Sequence, residues 1–167
     1  AFLQEMQPFI WRKYLDYAAV ADVHAMKRQI HAFRGHDALA VEGHNIKLGR
    51  GGIREIEFFV QTQQLIAGGR NTTLRVRDTI TGLDRLREAG WVTPETREAL
   101  ERAYRFLRQV EHRLQMVADE QTHSLPETTE GVERIALFLG YRDHAAFAEA
   151  LTAELRPVEA AYAKLFE

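Results

Sequence analysis

Asn45-Ile-Lys-Leu-Gly-Arg-Gly-Gly-Ile-Arg-Glu-Ile-Glu-Phe-Phe59 is the stretch on which the reading of this chain turns. Gly49, Gly51 and Gly52 stand among Lys47, Arg50 and Arg54 and lead directly into residues of strong helical character. Glycine loses more backbone entropy on folding than any other residue, so three within four positions point to a tight turn, a positive φ or a close backbone approach. A helix is expected to open at about Ile53. A glycine loop at a helix start leaves backbone N–H groups at the positive end of the helix dipole, and three cations surround that end, an arrangement that suits phosphate or carboxylate. At Gly52 a β-carbon is expected to have no room.

Stepping about 100° per residue from Ile53 places Ile53, Ile56, Phe59, Val60, Ile66 and Ala67 on one broad apolar arc, and Phe58 with Leu65 on a second. Between them runs a polar stripe of Arg54, Glu57, Gln61 and Gln64, with Glu55 and Thr62 falling between the arcs. A helix apolar on two sides is central, and its polar groups need partners inside the fold or at a site. Arg54 and Glu57, three residues apart, either pair with each other or face a ligand.

The rest of the chain is consistent with a helical domain. Its 167 residues, 46% hydrophobic and 28% charged, suffice for one domain with a real core. Without cysteine there is no disulfide framework, thiolate metal site or cysteine nucleophile. A net charge of −2 argues against a dedicated nucleic-acid binder. No apolar run reaches the roughly 20 residues that span a bilayer, so a cytoplasmic protein with no membrane partner is expected. The start, Ala1-Phe-Leu-Gln-Glu-Met6, reads as a helix under way and suggests a fragment of a longer chain.

Pro8 is expected to sit in the first turn of an aromatic-rich helix carrying Phe9, Ile10, Trp11, Tyr14, Leu15 and Tyr17. Val20, Val23, Met26, Ile30 and Phe33 mark an amphipathic helix, and Gly35–Gly43 reads as the most mobile loop. His24, His31, His36 and His44 lack the His-x-x-x-His spacing of a zinc site, so no metal ligands are assigned. Asp78 should cap a helix to about Glu88, ended by Gly90, and Thr93-Pro94 should open the longest one, running to about Ala118 with Val110, Leu114 and Val117 inward. On it Arg108, Glu111 and Gln115 form a polar ladder. Two more helices follow, one closed by Gly140 and one from about Asp143 that Pro157 should bend. The expected fold is an all-α bundle of six to eight helices, residues 1–167 forming a single domain.

The Asn45–Phe59 stretch, with Leu65-Ile-Ala-Gly-Gly-Arg70, Leu107-Arg-Gln-Val-Glu111 and Asp119-Glu-Gln-Thr-x-x-Leu-Pro126 in order behind it, is similar to the bifunctional glutamine synthetase adenylyltransferase/adenylyl-removing enzymes. The matching region there is the helical domain after the first nucleotidyltransferase domain. A looser form, Lys-x-x-x-Gly-Gly-Leu-Arg-Asp, resembles the PII uridylyltransferase. The resemblance covers nearly the whole chain and places an arginine and a glutamate at the positions of Arg108 and Glu111. It implies Mg²⁺ and ATP (or ADP/phosphate) for the full-length enzyme. The implied partners are the adjoining nucleotidyltransferase domain, glutamine synthetase and the PII signal protein.

The catalytic signature of such enzymes, a Gly-Ser loop followed by Asp-x-Asp, is missing from the chain, so no catalytic residues are assigned and the fragment alone is expected to be silent. The candidate nucleotide-phosphate contacts are Lys47, Gly49, Gly51, Gly52 and Arg54, supported by Glu55, Glu57, Arg108 and Glu111; Arg50 reads as a bystander. A competing reading makes the domain a structural and regulatory connector without direct ligand contact.

Overall fold

The computed structural model describes residues 2–13, 21, 22, 25, 39–118 and 121–165. They form six α-helices and one 3-10 turn: α1 (Phe2–Ile10), α2 (Ile53–Ala67), the turn Thr72–Leu74, α3 (Thr79–Glu88), α4 (Pro94–Ala118), α5 (Thr129–Phe138) and α6 (His144–Lys164). The described residues hold no β-strand, and a single isolated bridge joins Asn45 to Ser124. The fold class is all-α, as expected. Most of the expected helix over 20–33, all but residues 21, 22 and 25, together with Tyr14, Leu15, Tyr17, His24, His31 and His36, lies outside the described residues; so does the first part of the 35–43 loop. Among the described residues no helix is long and apolar enough to cross a membrane.

The helix ends follow from local chemistry. Asp78 accepts from Thr81 N at 2.9 Å, Thr128 from Gly131 N at 3.1 Å and Asp143 from Ala146 N at 2.8 Å. Each side chain satisfies an orphan N–H of the first turn, a cap whose loss costs about 1 kcal/mol. Gly90 and Gly140 leave α3 and α5 with φ of 75° and 89°. At both ends the glycine N–H bonds back three residues and the next N–H five, Trp91 to Leu86 and Tyr141 to Ala136, each at 2.9 Å. That left-handed cap is where glycine's lack of a β-carbon is needed.

Pro8 departs from expectation. It lies inside α1 rather than in the first turn of a following helix, and Trp11 N donates to Gln7 O at 2.8 Å as the helix closes. Proline removes one N–H, and α1 accommodates that in its final turns. Val117 also differs: with Met116 it is exposed, so the inward stripe of α4 ends at Leu114. α6 runs through Pro157 to Lys164 as one helix.

The chain divides into two compact units, one of Ala1–Gly35 and Glu57–Arg97, the other of His36–Ile56 and Glu98–Glu167. In the first, Phe59, Val60, Leu74, Leu83, Leu86 and Val92 are buried. Gly82 on α3 lies so close to α2 that a β-carbon there would stand 2.5 Å from Val60 Cγ1. Buried Gln64 donates from Nε2 to the carbonyls of Leu74 (2.7 Å) and Val76 (3.1 Å), holding the 3-10 turn against α2. Each such bond contributes about 1 kcal/mol net, and more if removing the donor strands a buried carbonyl. Arg75 donates to the carbonyls of Gly68 and Gly69 and stacks over Trp11.

In the second unit α5 packs on α6, and Val132, Ile135, Ala136, Phe147, Leu151, Leu155 and Val158 are buried. Leu100, Ala103, Leu107, Val110 and Leu114 form the inward stripe of α4. Ile46 and Leu125, both buried, come from two segments joined by the antiparallel bridge at Asn45 and Ser124. Gly43 N donates to Pro126 O, Leu125 N to His44 O and Ile46 N to His123 O, at 2.8–2.9 Å.

Candidate functional site

Asn45 starts the glycine loop. Its Oδ1 accepts from Lys47 N (3.1 Å) and Leu48 N (2.7 Å), a side-chain turn that sends the chain back on itself. The loop then folds over the head of α2. Gly52 N donates to Gly49 O, Ile53 N to Ile46 O, Arg54 N to Lys47 O and Glu55 N to Gly52 O, all within 2.9–3.0 Å, and Gly51 N donates to the buried Glu55 carboxylate at 2.8 Å. These N–H groups are the ones expected to be free for an anion. They are occupied because the loop supplies its own carbonyls, and because Glu55 puts a carboxylate at the positive end of the helix.

The glycines are needed for this packing. Gly51 has φ of 71°, and a β-carbon on it would lie 2.5 Å from Leu155 O on α6. Gly52 has no positive φ, yet a β-carbon there would meet the carbonyl oxygens of Ile46, Gly49 and Lys47 at 2.7–3.0 Å. Those three oxygens are the acceptors that cap α2. At Gly49 the space is filled by Asn45 O and the ring of His44. Close approach therefore holds at all three positions, and the positive φ falls on Gly51.

The side chains of the loop divide between two groups. Arg50, read as a bystander, forms an ion pair with Glu159 on α6. Lys47 points to a cluster on α4, where Glu111, with a side chain only 6% exposed, holds three cationic or cation-capable groups. Arg108 Nη1 stands 2.9 Å from Glu111 Oε2, while His123 Nδ1 at 2.9 Å and Lys47 Nζ at 3.7 Å share Oε1. Lys47 is 28% exposed and Arg108 48%, so the cluster faces solvent on its cationic side.

The structure thus joins Lys47, Arg108 and Glu111, and places Glu55 under the loop on Gly51 N. Arg54 is exposed, with its N–H on Lys47 O; Glu57 is half-buried where α2 enters the first unit. Along α2 the buried polar side chains are Glu55, Thr62, Gln63 and Gln64, whereas Arg54 and Gln61 of the expected stripe face outward. His123 and Glu159 were not singled out by sequence reasoning. His123 sits at an unspecified position of the Asp119–Pro126 motif, and only the antiparallel pairing with 43–46 brings it to the loop.

His44 lies beneath the loop, its Nε2 buried without a hydrogen-bond partner, and burial lowers its pKa below the ordinary value of 6.5. The folded state therefore holds the neutral ring, and the unfolded state binds the proton first as pH falls. Its contribution is fully present above about pH 6.5 and is lost as pH drops through the lower folded-state pKa. The expected result is that His44→Gln loses less melting temperature than the parent between about pH 7 and pH 5; parallel melting curves would show that His44 does not set the acid limb.

A family model, that of the GlnD PII-uridylyltransferase, matches residues 23–166. The chain belongs to this family. It is 66% identical over 167 residues to the bifunctional glutamine synthetase adenylyltransferase/adenylyl-removing enzyme of Mesorhizobium japonicum, covering 100% of this chain and 17% of that protein. The enzymes of the same name from Xanthobacter autotrophicus and Rhizobium meliloti are 63% and 64% identical over 166 residues, 99% of this chain and 17% of theirs. The chain therefore spans 17% of the length of these relatives. The resemblance carried by the Asn45–Phe59 stretch extends, in these family members, along the whole chain.

Proposed function

We propose that the chain is the helical domain of a bifunctional glutamine synthetase adenylyltransferase/adenylyl-removing enzyme and lines one side of a nucleotidyltransferase active site in the same polypeptide. The observation that carries this is the state of Lys47. Its ammonium is drawn to Glu111 but stays 3.7 Å away, outside hydrogen-bond range, and is partly exposed on the glycine loop. A lysine so held keeps its donors for a phosphoryl oxygen, with Arg108 and Arg54 as neighbouring cations. Because the backbone N–H groups of the loop are occupied, the phosphate contact in this reading comes from side chains, and Gly49, Gly51 and Gly52 serve it by shaping the loop.

When bound, Mg²⁺ and ATP (or ADP/phosphate) supply the phosphoryl chemistry of such enzymes. Among the described residues no group of three or more His, Cys, Asp or Glu side chains could hold a metal ion, and the proposal assigns the Mg²⁺ to the adjoining domain. What this chain contributes is orientation and charge. In the proposal it works in the cytoplasm, with glutamine synthetase and the PII signal protein as partners and no part for nucleic acid or membrane.

A second reading, a connector without ligand contact, is favoured by the internally satisfied head of α2 and by the ion pairs that tie the loop to α4 and α6. Lys47→Ala in the longer enzyme separates the two. The active-site reading expects a loss of about 1.5–3 kcal/mol in kcat/KM, roughly 10–150-fold, from one charge-assisted phosphate contact. Unchanged kinetics in a folded variant would leave the connector.

A further inference from the structure

We infer that His123 is a positioning residue for Lys47: by filling the close approach to Glu111 Oε1 it keeps the lysine ammonium off the carboxylate and open to a phosphoryl oxygen. This rests on the reading of Lys47 as a phosphate contact given above. Glu111 offers two oxygens. Arg108 takes Oε2 at 2.9 Å, and His123 Nδ1 takes Oε1 at the same distance without a well-aligned hydrogen bond, so Lys47 is left at 3.7 Å from an oxygen already attended.

The histidine is also fixed from behind. Its carbonyl accepts from Ile46 N at 2.8 Å, and Ile46 adjoins Lys47, so both competitors for Oε1 are mounted on one pair of antiparallel segments. Remove the ring, and nothing in that position bars the flexible lysine stem from closing onto Oε1 in a direct charge-assisted hydrogen bond. The ammonium would then be committed to Glu111.

The test is steady-state kinetics of the full-length enzyme, with ATP in adenylylation and with adenylylated glutamine synthetase in adenylyl removal. The variants are Lys47→Ala, His123→Ala, His123→Asn and the Lys47→Ala/His123→Ala double, each with a thermal melt. His123→Ala is expected to raise KM for the phosphate-bearing substrate about tenfold, with a melting temperature near the parent's. Asparagine, whose amide nitrogen can occupy the place of Nδ1, should restore most of the loss. The double variant should be no worse than Lys47→Ala alone, because both changes act through one ammonium.

Additive losses, or an asparagine variant as impaired as the alanine one, overturn the inference. Should His123→Ala fail to fold, His123→Asn against His123→Gln decides in its place: the inference requires the asparagine enzyme to be near parental and the glutamine enzyme, with its amide toward the Nε2 position, to be impaired. A Lys47→Ala enzyme with unaltered kinetics would strike the phosphate-contact reading itself, whereas a loss in Lys47→Ala beside an intact His123→Ala strikes only the role of His123.

Discussion

Gly51→Ala is expected to destabilise the protein by about 3 kcal/mol or more, the largest effect of any single methyl group in the loop. Two costs combine. A left-handed backbone disfavours any L side chain by roughly 1–2 kcal/mol, and Gly51 has φ of 71°. The added carbon would also lie 2.5 Å from Leu155 O and 2.9 Å from Leu155 Cα, backbone atoms inside α6 that cannot rotate away as a side-chain tip could. Relief requires the loop to lift from α6, which opens the Arg50–Glu159 ion pair and moves the carbonyls that cap α2. Chemical denaturation of parent and variant measures the difference. A Gly51→Ala protein within about 0.5 kcal/mol of the parent would mean the loop does not rest on α6 as described.

Glu111→Ala should follow closely, at about 2–3 kcal/mol. Removing one member of a buried ion pair leaves its partners without a counter-charge, a loss of about 3–5 kcal/mol when all are buried. Here Lys47 and Arg108 reach solvent, which lowers the figure. Glu111→Gln keeps the shape and an acceptor oxygen, so it should lose less, and the gap between the two variants isolates the charge. If both variants unfold at the parent's denaturant midpoint, the cluster is a surface ion pair of no structural consequence.

What could be read from the sequence was what neighbouring residues decide among themselves. Asp78, Thr93-Pro94, Gly90, Gly140 and Asp143 mark helix ends that the structure places within a residue or so, because caps and left-handed glycines act within one turn. Pro8 was misplaced because its missing N–H suits a first turn, whereas α1 runs through it without the hydrogen bond its nitrogen would have donated to Gln4 O. The periodicity of α4 was legible, but its outer limit at Leu114 was not, since the exposure of Met116 and Val117 depends on what the rest of the fold covers. The Asn45–Phe59 stretch announced a special backbone. That its N–H groups would be consumed by Glu55 and by carbonyls of the loop itself follows from a fold-back that no residue pair reveals. His123 was out of reach altogether, because its part in the cluster depends on a segment far along the chain.

The pairing of residues 43–46 with 123–126 has a consequence for the order of events at the ribosome. The glycine loop and Ser124 are separated by 79 positions measured from Asn45, and the loop takes its shape partly from hydrogen bonds that the later segment supplies. At roughly 5–20 residues per second, the first strip waits about 4–16 s for its counterpart to be synthesised. During that interval Ile46 N and His44 O have only water or passing partners, and α2 emerges before its cap is braced. The loop therefore lacks these hydrogen bonds until residues 123–126 have been made, long after its own glycines are in place.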